Sequence, residues 1–549
     1  MKINRNSLIV SILCLLAIGV FAQNTPQSIR LNSLGFLPEQ KKEATVTPAC
    51  VSFVIKDAIT NKTVYTGKTS DAIFQDDVNQ NVCFADFSAF TKPGEYFIEL
   101  PNGNKSAIFP INENVYAEPF KTSIRAFYLW RCGTEVHGVH NGDVCSHAAC
   151  HLDDGYEDYI GRRGVKRDGT GGWHDAGDYG KYIVNTGITM GVLFTAWENF
   201  GPKIEKISLD IPNTADNMPD FLKELKWEMD WVLKMQYPDG SGRVSHKLTR
   251  TQFSPFIMPE FDKEKRYFTE WSSAATASFA AMAAQAARVF APYDPLYAAK
   301  CLNAARLSYQ YLKDHPEEKP FVQGDFKTGG YQTKDEDDKL WAAAELWQTT
   351  GEKAFLDDFE DRIAKMNFAV EENWDWGNVS NLGVFTYLLS RRDGKNTAVV
   401  EKLRENTLKI ADGIVTKSQE DVYRRPFERY YWGCNGTVAR LTINLFTANA
   451  LSADEKYVNA AMDAVAHLFG RNYYNRSFVT GIGINPPMHP HDRRSGADTV
   501  TAPWPGYLVG GGHSATDWVD KQESYSHNEI AINWQAPLVF ALAWMLDIN

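Results

Sequence analysis

Gly171-Gly-Trp-His-Asp-Ala-Gly-Asp-Tyr-Gly-Lys-Tyr182 sets two carboxylates, Asp175 and Asp178, three residues apart on a glycine-rich turn between Trp173, Tyr179 and Tyr182. Acids beside aromatic rings suit a site that binds sugar and moves protons. Cleaving a glycosidic bond takes two carboxyl groups, one to protonate the leaving oxygen and one to act on the anomeric carbon or its water. Taken alone, an Asp-x-x-Asp turn is equally a solvated loop or a calcium loop. A further carboxylate candidate lies near the other end of the chain, Glu529 in Tyr525-Ser-His-Asn-Glu529.

Outward from this stretch the chain divides by pattern. From about residue 116 onward it reads as helices. Residues 216–235 carry Asp216 or Asn217 as a cap, Pro219 in the first turn, and Phe221, Leu222, Leu225, Met229 and Val232 on one face. Residues 272–291 are Ala-rich, which permits close helix approach, and the segment from Leu340 ends at Gly351, a C-cap residue. The 430-odd residues of successive helices without comparable strand alternation predict an α/α architecture. Before residue 110 the segments starting at Ser52, Thr63 and Glu95 alternate and are β-branched or aromatic, with turn residues between them. They predict a small β-sandwich.

Three separated blocks carry a resemblance to glycoside hydrolase family 9, the cellulase family once called E. The first is residues 171–182. The second is Ser477-Phe-Val-Thr-Gly-Ile-Gly-Ile-Asn-Pro-Pro-Met-His-Pro-His491-Asp-Arg493. The third runs through Trp518, Asp520, Tyr525 and Glu529-Ile-Ala531, and departs from the family where an Asn-Ala pair is usual and this chain has Gln535-Ala536. The segment from Ile29 to Phe36 and the one around Pro93-Gly-Glu-Tyr-Phe resemble the immunoglobulin-like module that precedes many members.

After a signal peptide over 1–22, marked by its own residues, the resemblance implies a multidomain chain: an immunoglobulin-like sandwich over 23–112 and an (α/α)6 barrel over 113–549 with its cleft at one end. It implies an inverting β-1,4-glucan hydrolase, an endoglucanase, with Asp178 as general base, Asp175 helping to hold the water, and Glu529 as general acid. Inversion leaves room for a water, so the acid and base carboxyls are expected ~6.5–9.5 Å apart. Asp520 is read as shaping or charging the cleft, His491 as lining it, and Arg493 as orienting a hydroxyl or carboxylate. Tyr525, Tyr430, Tyr431 and Trp432 are candidate platforms for pyranose rings, and for Trp432 a core position is the stronger reading. Gly510-Gly-Gly-His513 has no Gly-x-Ser-x-Gly partner and is read as a flexible loop at the cleft rim. One alternative keeps the mechanism and changes the substrate, to chain ends, xyloglucan, mixed-linkage glucan or glucosamine oligomers. A non-catalytic polysaccharide-binding protein or an adhesion protein is the alternative of another class, and the presence of Asp175, Asp178 and Glu529 weighs against both.

Cys132, Cys150, His151 and His174 make a complete tetrahedral zinc set by type. Their spacing is unlike a zinc finger, and a Cys132–Cys150 disulfide or a pair of free thiols are the alternatives. The resemblance implies a structural zinc at these four positions, bracing the Asp175–Asp178 loop. Calcium is a second candidate, at Thr333, Asp335, Asp338 and Asp375; the plain alternative is an acidic helix N-terminus.

Composition bounds the rest. With 57 Lys and Arg against 68 Asp and Glu, a net charge of -11 disfavours nucleic acid and anionic membranes. Lys2 and Arg5, the apolar run over residues 8–20 and Ala22 read as an export signal cleaved after Ala22, giving a periplasmic or secreted chain with no membrane span. Of the 8 Cys, Cys14 falls within that signal, so the mature chain holds an odd number and no complete disulfide framework.

Overall fold

The computed structural model describes residues 28–212 and 217–548. The export signal with its cleavage point, Cys14 and Asp216 lie outside the described residues.

Eight strands open the chain: β1 (Ile29–Arg30), β2 (Glu43–Val46), β3 (Ser52–Asp57), β4 (Thr63–Lys68), β5 (Ile73–Gln75), β6 (Gln80–Asp86), β7 (Gly94–Glu99) and β8 (Phe109–Ile111). They form two antiparallel sheets in the orders β1-β2-β6-β5 and β4-β3-β7-β8. Inward residues of both sheets, among them Val46, Phe53, Ile55, Ala85, Ile98 and Phe109, make one core. This is the sandwich that the alternating segments predict.

Helices follow: α1 (Ala117–Leu129), α2 (Ile183–Ile204), α3 (Asp220–Lys234), α4 (Ser273–Phe290), α5 (Pro295–Asp314), α6 (Glu336–Thr350), α7 (Lys353–Lys365), α8 (Ser380–Leu389), α9 (Thr397–Glu420), α10 (Cys434–Leu451), α11 (Glu455–Leu468), the short α12 (Arg493–Ala497) and α13 (Tyr525–Asn528), and α14 (Ile532–Asp547). Helices α2, α4, α6, α8, α10 and α14 each pack on the next, and α14 closes the ring on α2; α1, α3, α5, α7, α9 and α11 lie outside them. The inner helices explain their own sequences. Helix α14 is apolar on every side and almost entirely buried, as a helix surrounded by neighbours must be. The alanines of α4 let α2, α5 and α6 approach it closely. Ser272 caps α4 by accepting from the Ala275 amide, and Gly351 ends α6 in the left-handed conformation.

The predicted start of α3 is corrected. Pro219 stands outside the helix at its N-cap with extended ψ, and Asp220 opens the first turn, its carboxylate accepting from the Leu209 amide at 3.0 Å. The apolar face of α3 is as predicted, with Phe221, Leu222, Leu225, Met229 and Val232 all buried.

Sandwich and barrel are joined by polar contacts as well as apolar ones. Arg471 donates to Thr45 Oγ1 at 3.0 Å and pairs with Asp463 at 3.0 Å and with Glu43, which Arg424 also engages. Val82 and Phe84 of β6 pack on Val422 and Tyr423. Among the described residues no helix is long and apolar enough to cross a membrane.

Candidate active site and metal centre

The loop from Trp173 to Tyr182 ends where α2 begins, and its backbone is held from both sides. Arg131 pairs with Trp173, and His174 N donates to Trp130 O at 2.9 Å. On the opposite side Ala176 pairs antiparallel with Ala531, and Ile532 N donates to Asp175 O at 2.9 Å. Beneath it the Trp173 indole donates to Glu224 at 2.8 Å and the Trp173 amide to Glu228 at 2.6 Å. Gly177 is required by contact: a Cβ there would sit 2.1 Å from the His491 carbonyl.

Both aspartates are buried and each is aimed by a tyrosine. Asp175 accepts from Asn185 Nδ2 at 2.7 Å and from Tyr331 OH at 2.6 Å. Asp178 accepts from the Gly180 amide at 2.9 Å and from Tyr182 OH at 3.0 Å. Burial and the neighbouring Asp178 charge lift the Asp175 carboxyl well above the usual range, against the pull of its two donors.

Glu529 follows α13. Its carbonyl accepts from Gly510 N at 2.9 Å, its backbone pairs with His491, and Ile530 pairs with Val509. Burial, then the charges of Asp178 and Asp175, raise its carboxyl well above the ordinary value, while Arg493 and the Trp432 indole act the other way. A carboxyl held protonated opposite a second carboxylate is the arrangement that divides acid from base work.

These groups meet in a cleft of about 760 Å3 whose walls include Tyr182, Tyr331, Trp376, Tyr431, Trp432 and Trp534. Tyr431 OH contacts Asn373 at 2.8 Å. Trp432 is 46% exposed, which corrects the core reading, and its ring meets Tyr525 edge-on at 5.3 Å. Of the proposed platforms, Tyr431 and Trp432 line the cleft, Tyr525 stands beside Trp432, and Tyr430 is turned elsewhere. It lines the crevice between sandwich and barrel and stacks under the Arg425 guanidinium at 3.9 Å, away from the cleft.

His491 Nδ1 faces the Gln522 carbonyl at 2.7 Å, and burial lowers its pKa. Arg493 Nε donates to Ser254 O at 2.7 Å and Nη1 to Gly177 O at 2.6 Å, so its guanidinium bridges the aspartate loop to the backbone of Ser254. Asp520 is likewise spent on structure: it accepts from Arg476, the Met488 and His489 amides and Asn528 Nδ2 at 2.8–3.1 Å. It therefore fixes the residues beside His491 and Glu529 and does not line the cleft. The Gly510 loop is not the flexible rim expected. Gly511 N donates to His527 O at 2.8 Å, and at its positive φ a Cβ would meet Cys434 Sγ at 2.8 Å. Gln535, the departure from the family pattern, is fully buried and satisfied by Leu508 N, Ser123 O and Gly506 O.

Tyr331, Asn185 and Trp376 are site residues that the sequence reading did not pick out. Tyr331 follows Gly329-Gly330, as Trp173 follows Gly171-Gly172, and that echo was the available signal.

Cys132, Cys150, His151 and His174 converge, with one ligand atom from each lying within 4.8 Å of all the others, and all four are buried. Cys132 Sγ lies 3.6 Å from His151 Nδ1, Cys150 Sγ 3.9 Å from His174 Nε2, and the two imidazole nitrogens 3.4 Å apart. A tetrahedral zinc with Zn–S ~2.3 Å and Zn–N ~2.0–2.1 Å sets sulfur and nitrogen about 3.5 Å apart and two nitrogens about 3.3 Å apart, so the four residues fit the ion. His151 Nε2 faces Asp262 at 3.5 Å, a carboxylate backing its ligating ring, and Asp262 is itself paired with Arg250 at 2.6 Å. Neither cysteine is in a disulfide. The calcium candidates are not drawn together in this way. Asp335 pairs with Lys339 at 2.7 Å, Asp338 is buried against Ser278 Oγ, Thr333 donates to Gly377 O at 3.0 Å, and Asp375 lies in the cleft paired with Arg440 at 3.0 Å.

A sandwich on a helical barrel, with two aspartates and a glutamate of raised pKa lining one aromatic cleft, fits a glycosidase of the carboxylate-pair type. The chain belongs to glycosyl hydrolase family 9: the model of that family matches residues 116–542, and the model of the cellulase N-terminal ig-like domain matches residues 24–105. It is 54% identical to Endoglucanase D of Acetivibrio thermocellus over 95% of this chain and 84% of that protein. It is 31% identical to the xyloglucan-specific endo-beta-1,4-glucanase BoGH9A of Bacteroides ovatus, over 95% of this chain and 94% of that one. Among solved structures, a Zn-binding triple mutant of the family 9 endoglucanase J30 superposes with a TM-score of 0.88 at 32% identity, covering 93% of this chain and all of the other.

Proposed function

We propose that this chain is an exported, inverting endo-β-1,4-glucanase acting on cellulose or a related β-glucan. The observation that carries the reading is the two-sided cleft, with Asp175 and Asp178 on one backbone segment and a carboxyl kept protonated at Glu529 on the segment paired with it. Glu529 donates its proton to the glycosidic oxygen as the bond breaks. Asp178 takes a proton from the water that attacks the opposite face of the sugar ring, and Asp175 holds that water. Tyr182 keeps Asp178 aimed. Trp376, Trp432 and Tyr525 offer flat faces for pyranose rings. Arg493 and Asp520 position the loops rather than touch the reacting atoms.

Cys132, Cys150, His151 and His174 hold a structural zinc in this reading. A closed set of four ligands supplies cross-linking and no Lewis-acid chemistry. The protein's own ties from Trp130 and Cys132 to Gly172 and His174 carry that stiffness to the aspartates. The domain boundary is placed between residues 112 and 113.

A panel of cellulose derivative, mixed-linkage glucan, xyloglucan and chito-oligomers tests the reading. Viscosity should fall early relative to reducing-end release on the soluble cellulose derivative. Release of single short products without viscosity loss would replace the endo reading, and exclusive turnover of xyloglucan would replace the substrate.

A further inference from the structure

The described residues hold seven free cysteines. Cys132 and Cys150 belong to the metal cluster. Cys50 and Cys83 form a second pair, 33 residues apart in sequence and in contact in the sandwich. Cys50 N donates to Cys83 Sγ at 3.3 Å, and Cys83 Sγ lies 3.5 Å from Cys50 O. Cys83 is fully buried on β6, whereas Cys50 is half-buried next to Val51, which is 80% exposed. One thiol of the pair is thus open to a reagent, with the other directly behind it.

We infer that Cys50 and Cys83 are the site of a disulfide that closes the N-terminal sandwich when the chain meets a disulfide-bearing oxidant, either a small molecule or an oxidoreductase. Cys50 loses its proton and its sulfur attacks one sulfur of R–S–S–R, expelling R–S⁻. Cys83 then loses its proton and attacks the Cys50 sulfur of the mixed disulfide, expelling the second R–S⁻. Two protein thiols are oxidised to one disulfide, and one R–S–S–R is reduced to two R–SH. Burial and the neighbouring Cys83 raise the Cys50 thiol, so the first step speeds up with rising pH.

The bridge would act beyond the sandwich. Cys83 points inward from β6, while its neighbours Val82 and Phe84 pack on Val422 and Tyr423 of the barrel. Cys83 pairs with Val46 and Phe84 with Thr45, and Thr45 Oγ1 donates to Val422 O at 2.8 Å. Joining Cys83 to Cys50 ties the docking strand to the segment that leaves β2, and it shortens the unfolded chain's free loop. The inference rests on this contact and not on the glucanase reading.

The test uses the full mature chain treated with oxidised glutathione, then denatured and alkylated. Peptide mass spectrometry should find Cys50 and Cys83 linked, with two hydrogens lost, and Cys145, Cys301 and Cys434 alkylated. A phosphine reductant should lower the melting temperature of the oxidised protein and leave Cys50→Ala and Cys83→Ala unchanged. Glucan turnover at moderate temperature should be the same in both redox states. Full alkylation of both residues, or separate glutathione adducts on each, would overturn the inference. A reductant effect of equal size in the Cys50→Ala chain would overturn it as well, by locating the sensitive group elsewhere.

Discussion

Ala176 pairs antiparallel with Ala531, and the Ile532 amide donates to the Asp175 carbonyl at 2.9 Å. One short ladder thus joins the loop of the two aspartates to the segment of Glu529, which in turn pairs with His491. The placing of Asp175 and Asp178 relative to Glu529 follows from backbone pairing. The proposed inverting mechanism needs such a fixed gap, because it must hold a sugar and a water in order.

Glu529→Gln keeps the shape of the side chain and removes its proton. Hydrolysis of unactivated glucan should fall by ~100- to 10,000-fold, with binding largely kept. An aryl glycoside with a very good leaving group needs little protonation and should suffer less. Comparing kcat on the two substrates checks this, and equal losses on both would take the acid role from Glu529.

Asp178→Asn should be as damaging on glucan and should also damage the activated substrate, since water must be deprotonated whatever leaves. Asp175→Asn should retain more activity, because residue 175 only helps to hold the water; its amide oxygen can still accept from Asn185, while its NH2 must donate to the Tyr331 oxygen in place of accepting from it. Near-normal turnover of the aryl glycoside by Asp178→Asn would contradict the base assignment.

Much of this was legible in the sequence, for identifiable reasons. Strand alternation and helix faces follow burial, so β3 and the apolar face of α3 could be read directly, while β4 and β7 were marked by their β-branched and aromatic residues between turns. The four candidate metal ligands could be listed because thiol and imidazole are rare, chemically specific groups. What could not be read were the directions of side chains in loops. Tyr430, Tyr431 and Trp432 are consecutive, yet the cleft takes the last two and the crevice beside Arg425 takes the first. Asp520 is an acid in a catalytic block, but four donors from distant residues consume it. Tyr331 reaches Asp175 from 156 residues away, a pairing that only the closed barrel creates.

Glu228 gives a pH test away from the reacting atoms. It is fully buried beneath the loop, accepting from Trp173 N at 2.6 Å and Thr186 Oγ1 at 3.1 Å, and burial pushes its carboxyl up to about 8 despite those donors and nearby Lys181. A carboxyl raised on folding binds more protons folded than unfolded. Its stabilisation is full below the unfolded value of 4.5 and is lost as pH rises toward 8. Thermal or urea unfolding between pH 5 and 8 should therefore show a shallower decline for Glu228→Gln than for the wild type, by up to about 1.4 kcal/mol per pH unit. Parallel curves would remove Glu228 as the source.

The purified chain should carry about one zinc, measured by elemental analysis. Cys150→Ser or prolonged chelation should lower the melting temperature, and turnover should fall because the loop of Asp178 loosens. A metal-free protein with a Cys132–Cys150 disulfide would dismiss the site and leave the hydrolase assignment intact.

The stereochemistry of the first product tests the mechanism most directly. Proton NMR of a β-linked oligomer during the first turnovers should record the α-anomer before mutarotation, as required when a water deprotonated by Asp178 attacks opposite the bond that Glu529 protonates. Initial appearance of the β-anomer would mean a covalent glycosyl-enzyme, and would contradict the pairing of a base at Asp178 with an acid at Glu529.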